Sequence, residues 1–185
     1  MAIHKVKGWV SGMIFFVGFV APCRAQEKAM GDDSFYLEST TGVVLYTGED
    51  REQASASPAL GLNIGYRFFK SFSGGLSYWE GGAIGPFGQD INANFYIIAA
   101  RWSYWPHESK QHEFSSELGV GGGSLRRNFS GNTVTRGGFV SHGRISYINH
   151  WGPLWIGGGF GVYRLERESG FSIFLNPSVA LGLSF

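Results

Sequence analysis

The sequence predicts an all-β chain: an eight-stranded antiparallel up-and-down transmembrane β-barrel that follows a cleaved signal peptide. Three observations carry this expectation. The chain opens with a short basic and then apolar leader. The rest of it alternates with a period of two and holds no convincing amphipathic helix. Its composition is poor in charge and rich in aromatic residues and glycine.

The leader comes first. Lys5 and Lys7 precede an almost wholly apolar stretch from Trp9 to Ala21, and Pro22-Cys23-Arg24-Ala25 follows. This layout is that of a secretory signal peptide cleaved after Ala25. The apolar stretch is too short to span a bilayer comfortably as a helix. Acylation of Cys23 is disfavoured because Pro22 stands where a small residue is wanted. Residues 1–25 are therefore expected to leave, and 26–33 to form a short periplasmic leader before a barrel over 34–185.

Cleavage removes the only cysteine, so the mature chain can hold neither a disulfide nor a Cys-ligated metal. It also removes three of the 15 basic residues, leaving 12 against 14 acids and a net charge of −2. That balance offers no electrostatic footprint for nucleic acid. Charged residues make up 16% of the 185 residues, against about 25% in an ordinary soluble domain. Aromatic residues are also 16%, and 29 residues are glycine. A helical bundle would need more Ala, Leu, Glu and Lys. Glycine has no strict third-position repeat, so collagen is excluded.

Eight segments read as strands: 35–46, 59–69, 72–80, 93–105, 112–123, 137–149, 154–164 and 171–185. The connections alternate in kind. Those after the second, fourth and sixth strands are short or compact: Lys70-Ser71, 106–111 and 150–153. Those after the first, third, fifth and seventh are mostly longer and more polar: 47–58, 81–92, 124–136 and 165–170. An even-stranded outer-membrane barrel sorts its periplasmic turns and external loops in this way.

The two faces of each strand differ. Leu60, Leu62, Ile64, Tyr66 and Phe68 share one face of the second strand, against Gly61, Asn63, Gly65 and Arg67. In the last strand Ile173, Leu175, Val179, Leu181, Leu183 and Phe185 oppose Phe174, Asn176, Ser178, Ala180, Gly182 and Ser184. Phe139, Ile145 and Tyr147 oppose His142, Arg144 and Ser146 in the sixth. In the first, Phe35, Leu37, Val43 and Leu45 oppose Tyr36, Glu38, Thr40 and Tyr46. Large apolar residues on one face, with Gly, Ser, Asn and charges on the other, make the inside-out pattern of a membrane barrel. Phe35, Tyr46, Tyr66, Phe68, Phe69, Phe72, Tyr78, Tyr104, Trp105, Tyr147 and Trp151 lie near strand ends, where rings favour the headgroup level.

The inner face holds acids and bases together. Glu38, Arg67, Arg101, Glu117, His142 and Arg144 are the expected lumen network. Glu113 has the same parity but is expected at a solvated barrel end. An unpaired charge in a narrow lumen costs several kcal/mol, so a salt-bridged plug is expected.

With strand count, loop asymmetry and the ending SVALGLSF, the body of the chain resembles the small eight-stranded outer-membrane barrels of the OmpA, OmpX and OmpW type. The resemblance implies location in the cell outer membrane, contact with its lipid and lipopolysaccharide, and a monomer. It also implies that the C-terminal strand, with Phe185 as the assembly signal, is read by the outer-membrane assembly machinery. Members of this class serve as structural proteins, adhesins, small channels or lipid-modifying enzymes.

Chemistry is sparse. Lipid A deacylases of the PagL kind carry a His-x-Ser-Asn motif that this chain lacks; Ser141-His142-Gly143-Arg144 and Asn149-His150 are the nearest stretches. Tyr78-Trp79-Glu80-Gly81-Gly82 is similar to a piece of that family, but not to its catalytic residues. No catalytic, cofactor or metal site is expected. His107, Glu108 and His112 gather at a turn and read as solvated residues. The Gly121-Gly122-Gly123 and Gly157-Gly158-Gly159 runs open no helix, so they are not phosphate loops. Arg126 and Arg127 are expected in an external loop, within reach of lipopolysaccharide phosphates. The favoured reading is a structural or surface-interaction barrel; the alternative is a small-solute channel, and less so a lipid A-modifying enzyme.

Overall fold

A computed structural model describes residues 34–48, 56–84, 90–106, 111–129, 132–168 and 170–185. The expected signal peptide and leader, 1–33, lie outside the described residues. Eight strands follow one another: β1 (Ser34–Gly48), β2 (Ala56–Phe69), β3 (Phe72–Ile84), β4 (Asp90–Tyr104), β5 (His112–Phe129), β6 (Asn132–Trp151), β7 (Leu154–Arg167) and β8 (Gly170–Ser184). Each pairs antiparallel with the next, and β1 pairs with β8, so the sheet closes into an up-and-down barrel. Closure runs from Tyr36 opposite Ser184 to Gly48 opposite Ser172. The Phe185 amide continues it by donating to the Phe35 carbonyl at 2.9 Å.

The alternation dictates the walls. Ile64, Leu76, Ile98, Leu118, Ile145 and Val179 all point outward and are 52–67% exposed. Their neighbours in sequence point inward and are largely buried. A belt of this kind in water would be a large apolar liability. In a bilayer it is what the hydrocarbon requires, and closure leaves no unpaired backbone edge around the belt. The protein therefore spans a membrane.

One end carries Ser34, Phe185 and the tight turns, and is called the turn end. Gly152, at φ 62°, and Pro153 join Trp151 to its partner Leu154. Glycine at a positive φ followed by proline suits a two-residue hairpin loop. Lys70-Ser71 joins Phe69 to Phe72 in the same way.

The loop end differs from expectation. β3, β5, β6 and β7 run past the anticipated boundaries, so much of 81–92, 124–136 and 165–170 is strand. Polar residues there no longer need a lipid-facing stripe, yet backbone pairing continues, with Arg126 opposite Thr135 and Arg127 opposite Val134. Arg126 and Arg127 thus belong to β5 rather than to a loop.

Inner-face glycines make room for rings. A Cβ on Gly182 would overlap the Trp155 indole, one on Gly65 the Tyr36 ring, and one on Gly81 the Trp79 indole. Gly122, on the outer wall, has open space around it. Overpacking a filled interior costs about 1–3 kcal/mol. Gly182→Val is expected to lower the urea midpoint of the detergent-folded barrel, and Gly122→Val to leave it nearly unchanged. Equal midpoints for the two would contradict the assigned packing.

Candidate functional site

The lumen is filled in layers. At the turn end Glu113 is completely buried. Its Oε2 accepts from Arg67 Nη2 at 3.3 Å and lies 2.8 Å from His150 Nε2; its Oε1 accepts from Ser103 Oγ at 2.5 Å. Trp105 caps this group. Its ring lies 5.3 Å from the Arg67 guanidinium and 4.9 Å from the His150 ring, and its indole N–H donates to the Lys70 carbonyl at 3.2 Å. The expectation that Glu113 meets solvent is therefore corrected: three side chains satisfy the carboxylate and an indole covers them. Trp105 is likewise a cap on the lumen rather than a headgroup-level ring.

The middle layer crosses the barrel. Glu38 on β1 is fully buried. Its Oε1 accepts from Asn63 Nδ2 at 2.7 Å and from Arg144 Nη1, and its Oε2 accepts from Arg101 Nη2 at 2.8 Å. Arg101 also reaches Glu117, with Nε at 2.9 Å and Nη2 at 2.8 Å from the same Oε2. Arg101 therefore bridges two carboxylates, while its guanidinium lies 5.0 Å from the Tyr36 ring centre. His142 Nδ1 stands 3.6 Å from Glu117 Oε1, and its ring stacks on Tyr163 at 4.4 Å. Four strands thus supply one charge-balanced cluster of two carboxylates and two guanidiniums, and Asn63 joins it from a fifth. A polar cavity of about 10 Å³, lined in part by Thr40, Asn63, Glu117, Arg144 and Asn176, lies beside it. That is room for roughly one water molecule.

Above this, toward the loop end, the filling becomes aromatic. Trp79 and Phe95 stack at 4.8 Å and 8°, and Tyr163 lies 4.8 Å from Trp79. Phe174 packs edge-on against Phe95 at 5.1 Å. Val140, Leu165, Leu125 and Ile97 close the surrounding gaps. Tyr46 lies in the same layer, 5.1 Å from Phe174 and 3% exposed, so its expected place at the headgroup level is also corrected. Its inward parity outweighs its position near the strand end. Its hydroxyl accepts from Arg127 Nη2 at 2.5 Å and lies 3.3 Å from Ser172 Oγ, which accepts from Arg167 Nη2 at 2.8 Å.

The six residues read as one lumen network fall into two groups. Glu38, Arg101, Glu117, His142 and Arg144 come together; Arg67 joins Glu113 and His150 nearer the turn end. Sequence reasoning missed His150, although it shares the parity of His142 and Arg144. It also missed the aromatic layer, because Trp79, Phe95 and Tyr163 were not assigned to the inner face. His142 faces the lumen and has no hydrogen bond through either ring nitrogen. His107 and Glu108 lie outside the described residues. Phe185 is 70% exposed at the end of the chain.

Stranding one member of a desolvated ion pair costs about 3–5 kcal/mol, whereas an exposed pair is worth about 0–1 kcal/mol. Arg101→Ala or Glu117→Ala is therefore expected to destabilise the folded barrel by well over about 1 kcal/mol in urea unfolding. Arg126→Ala, on the outer face, is the appropriate weak comparison; Arg127, which seats on Tyr46, is not. Equal costs for Arg101→Ala and Arg126→Ala would mean a wet, open interior.

No protein-family model and no curated protein matches the sequence. Solved structures do resemble it in fold. Neisserial surface protein A is 8% identical, with a TM-score of 0.70 over 82% of this chain and 97% of that one. The N-terminal β-barrel domain of Pseudomonas aeruginosa OprF is 13% identical, with a TM-score of 0.62 over 84% and 99%. Ail, the attachment invasion locus protein of Yersinia pestis, is 12% identical, with a TM-score of 0.59 over 84% and 100%. The fold is that of the small outer-membrane barrels, and with the apolar exterior it assigns the chain to the outer membrane.

Proposed function

We propose that this barrel is a structural or surface-interaction protein of the outer membrane whose lumen conducts no solute. The observation that carries the reading is Arg101 bound to Glu38 and Glu117 at once, beneath a packed layer of Trp79, Phe95, Tyr163 and Phe174. Ion passage would have to break a desolvated cluster and part a filled aromatic layer. Specificity then belongs to the exterior and the loop end. There Arg126 is exposed on the outer face of β5, and Arg164, 3.1 Å from Glu166, stands on that of β7. Both suit the phosphates of lipopolysaccharide. An enzymatic reading has no support in the placement of His142, which faces Tyr163 and Glu117 inside the barrel.

Planar-bilayer recording of the refolded protein tests the closed lumen. A flat trace is expected under conditions where a known porin gives steps. Discrete steps of reproducible size that change in Arg101→Ala would replace this reading with a small-solute channel.

The C-terminal strand is the proposed contact for the outer-membrane assembly machinery. Deleting Phe185 is expected to lower the amount of barrel in the outer membrane and to leave unfolded chain in the periplasm. Fractionation and heat-modifiable gel migration measure both, and normal levels after deletion would refute the role.

A further inference from the structure

The outer wall is not uniform. At the turn-end half, across β4 to β7, it carries a dent of about 640 Å³. The pairing shows how it arises. One row across the wall reads Trp102, Ser116, Ile145, Phe160; the next row toward the turn end reads Tyr104, Phe114, Tyr147, Gly158. Each row holds large residues and one small one, and the small ones are offset by two strands. The dent therefore runs obliquely over Ser116 and Gly158, between protruding rings. Phe114 and Tyr147 pack together at 5.1 Å along its edge.

We propose that this dent seats one acyl chain of a phospholipid from the periplasmic leaflet. Its position fixes the medium. Trp102, Phe114, Ile145 and Phe160 are all 41–65% exposed within the apolar belt, so hydrocarbon covers them rather than water. The turn end is the periplasmic side in barrels of this architecture, where short turns lie. The polar groups at the mouth agree with a lipid whose headgroup lies there. The Tyr147 hydroxyl is 2.7 Å from His112 Nδ1, and the exposed Tyr104 ring stands two strands away in the same row, across Phe114. Tyrosine rings with a wet hydroxyl end favour that level. The recess favours a chain over a second barrel. Its floor sits behind a rim of large rings, whereas an interface between copies needs a broad complementary surface.

The site can be filled without disturbing the wall. A Cβ on Gly158 meets only the Ser178 carbonyl oxygen, at 3.8 Å, and Ser116 is exposed. The test uses the mature barrel reconstituted with 1-palmitoyl-2-oleoyl phosphatidylethanolamine, exchanged into detergent and weighed by native mass spectrometry. The wild-type barrel is expected to retain one phospholipid. Gly158→Trp and Ser116→Trp should each reduce the retained fraction several-fold, while Leu62→Trp, on the β2 wall, should not. Heat-modifiable migration checks that each variant is folded, and Ser116→Leu serves if either tryptophan variant is not. A wild-type barrel that retains no lipid overturns the proposal, as does equal retention in Gly158→Trp and Leu62→Trp. A dimer peak that Gly158→Trp abolishes would assign the dent to a second copy instead, and would equally overturn it.

Discussion

The pairing of β1 with β8 is the constraint on which everything else rests. In hydrocarbon an unpaired backbone N–H or C=O has no water to turn to. The first and last strands therefore have to meet, and they do so from Tyr36–Ser184 at one end to Gly48–Ser172 at the other. Once the sheet is closed, each side chain has one of two destinations. An outward residue meets lipid, and an inward residue meets a lumen only wide enough for side chains to fill. The strict alternation in β2 and β8 is the trace of that choice in the chain.

A narrow lumen has to be filled, and this chain fills it in two ways. Toward the loop end it packs rings: Phe95 and Phe174 are almost wholly buried, and Gly81 leaves the space that the Trp79 indole occupies. Toward the turn end it packs charges, and two of the carboxylates are each met by several side chains. Glu38 takes Asn63, Arg101 and Arg144, and Glu113 takes Arg67 and Ser103 with His150 beside them. Arg101 has the central position because it serves two carboxylates. Some of the glycines follow from the same geometry, since Gly65, Gly81 and Gly182 leave the space that the Tyr36, Trp79 and Trp155 rings occupy.

Much of this is written in the sequence, and the rest is hidden for identifiable reasons. Strand number, order and the outward faces are legible because parity has only two values and lipid enforces one of them. Arg101, Glu117 and Arg144 are legible as inner residues for the same reason. Who pairs with whom is not, because partners such as Glu38 and Arg144 lie 106 positions apart and meet only through closure. Glu113 looks like an end residue because its distance from the strand start is small; Arg67, Ser103 and His150 close on it, and Trp105 lies over Arg67 and His150. The strand ends toward the loops are obscured by polar residues that still form ladders. Tyr46 shows the limit of reading aromatics by position, since parity rather than nearness to a strand end decides which side of the wall it takes.

The buried charges also answer a question about register. A buried ion pair adds little net stability over an apolar filling of the same volume, because desolvation offsets most of the attraction. Its effect on wrong structures is larger. A one-residue slip turns a strand inside out. Slipping β4 would place Arg101 among lipid tails, where a lipid-facing arginine costs about 2–4 kcal/mol near the midplane. It would also strand Glu117 and leave Glu38 with Arg144 as its one remaining guanidinium. The same slip in β6 would expose Arg144 and pull Phe139 into the lumen. Leucine and phenylalanine give no comparable penalty for meeting one another on the wrong side. The cluster around Arg101 thus contributes less by holding the correct barrel together than by making the shifted ones untenable.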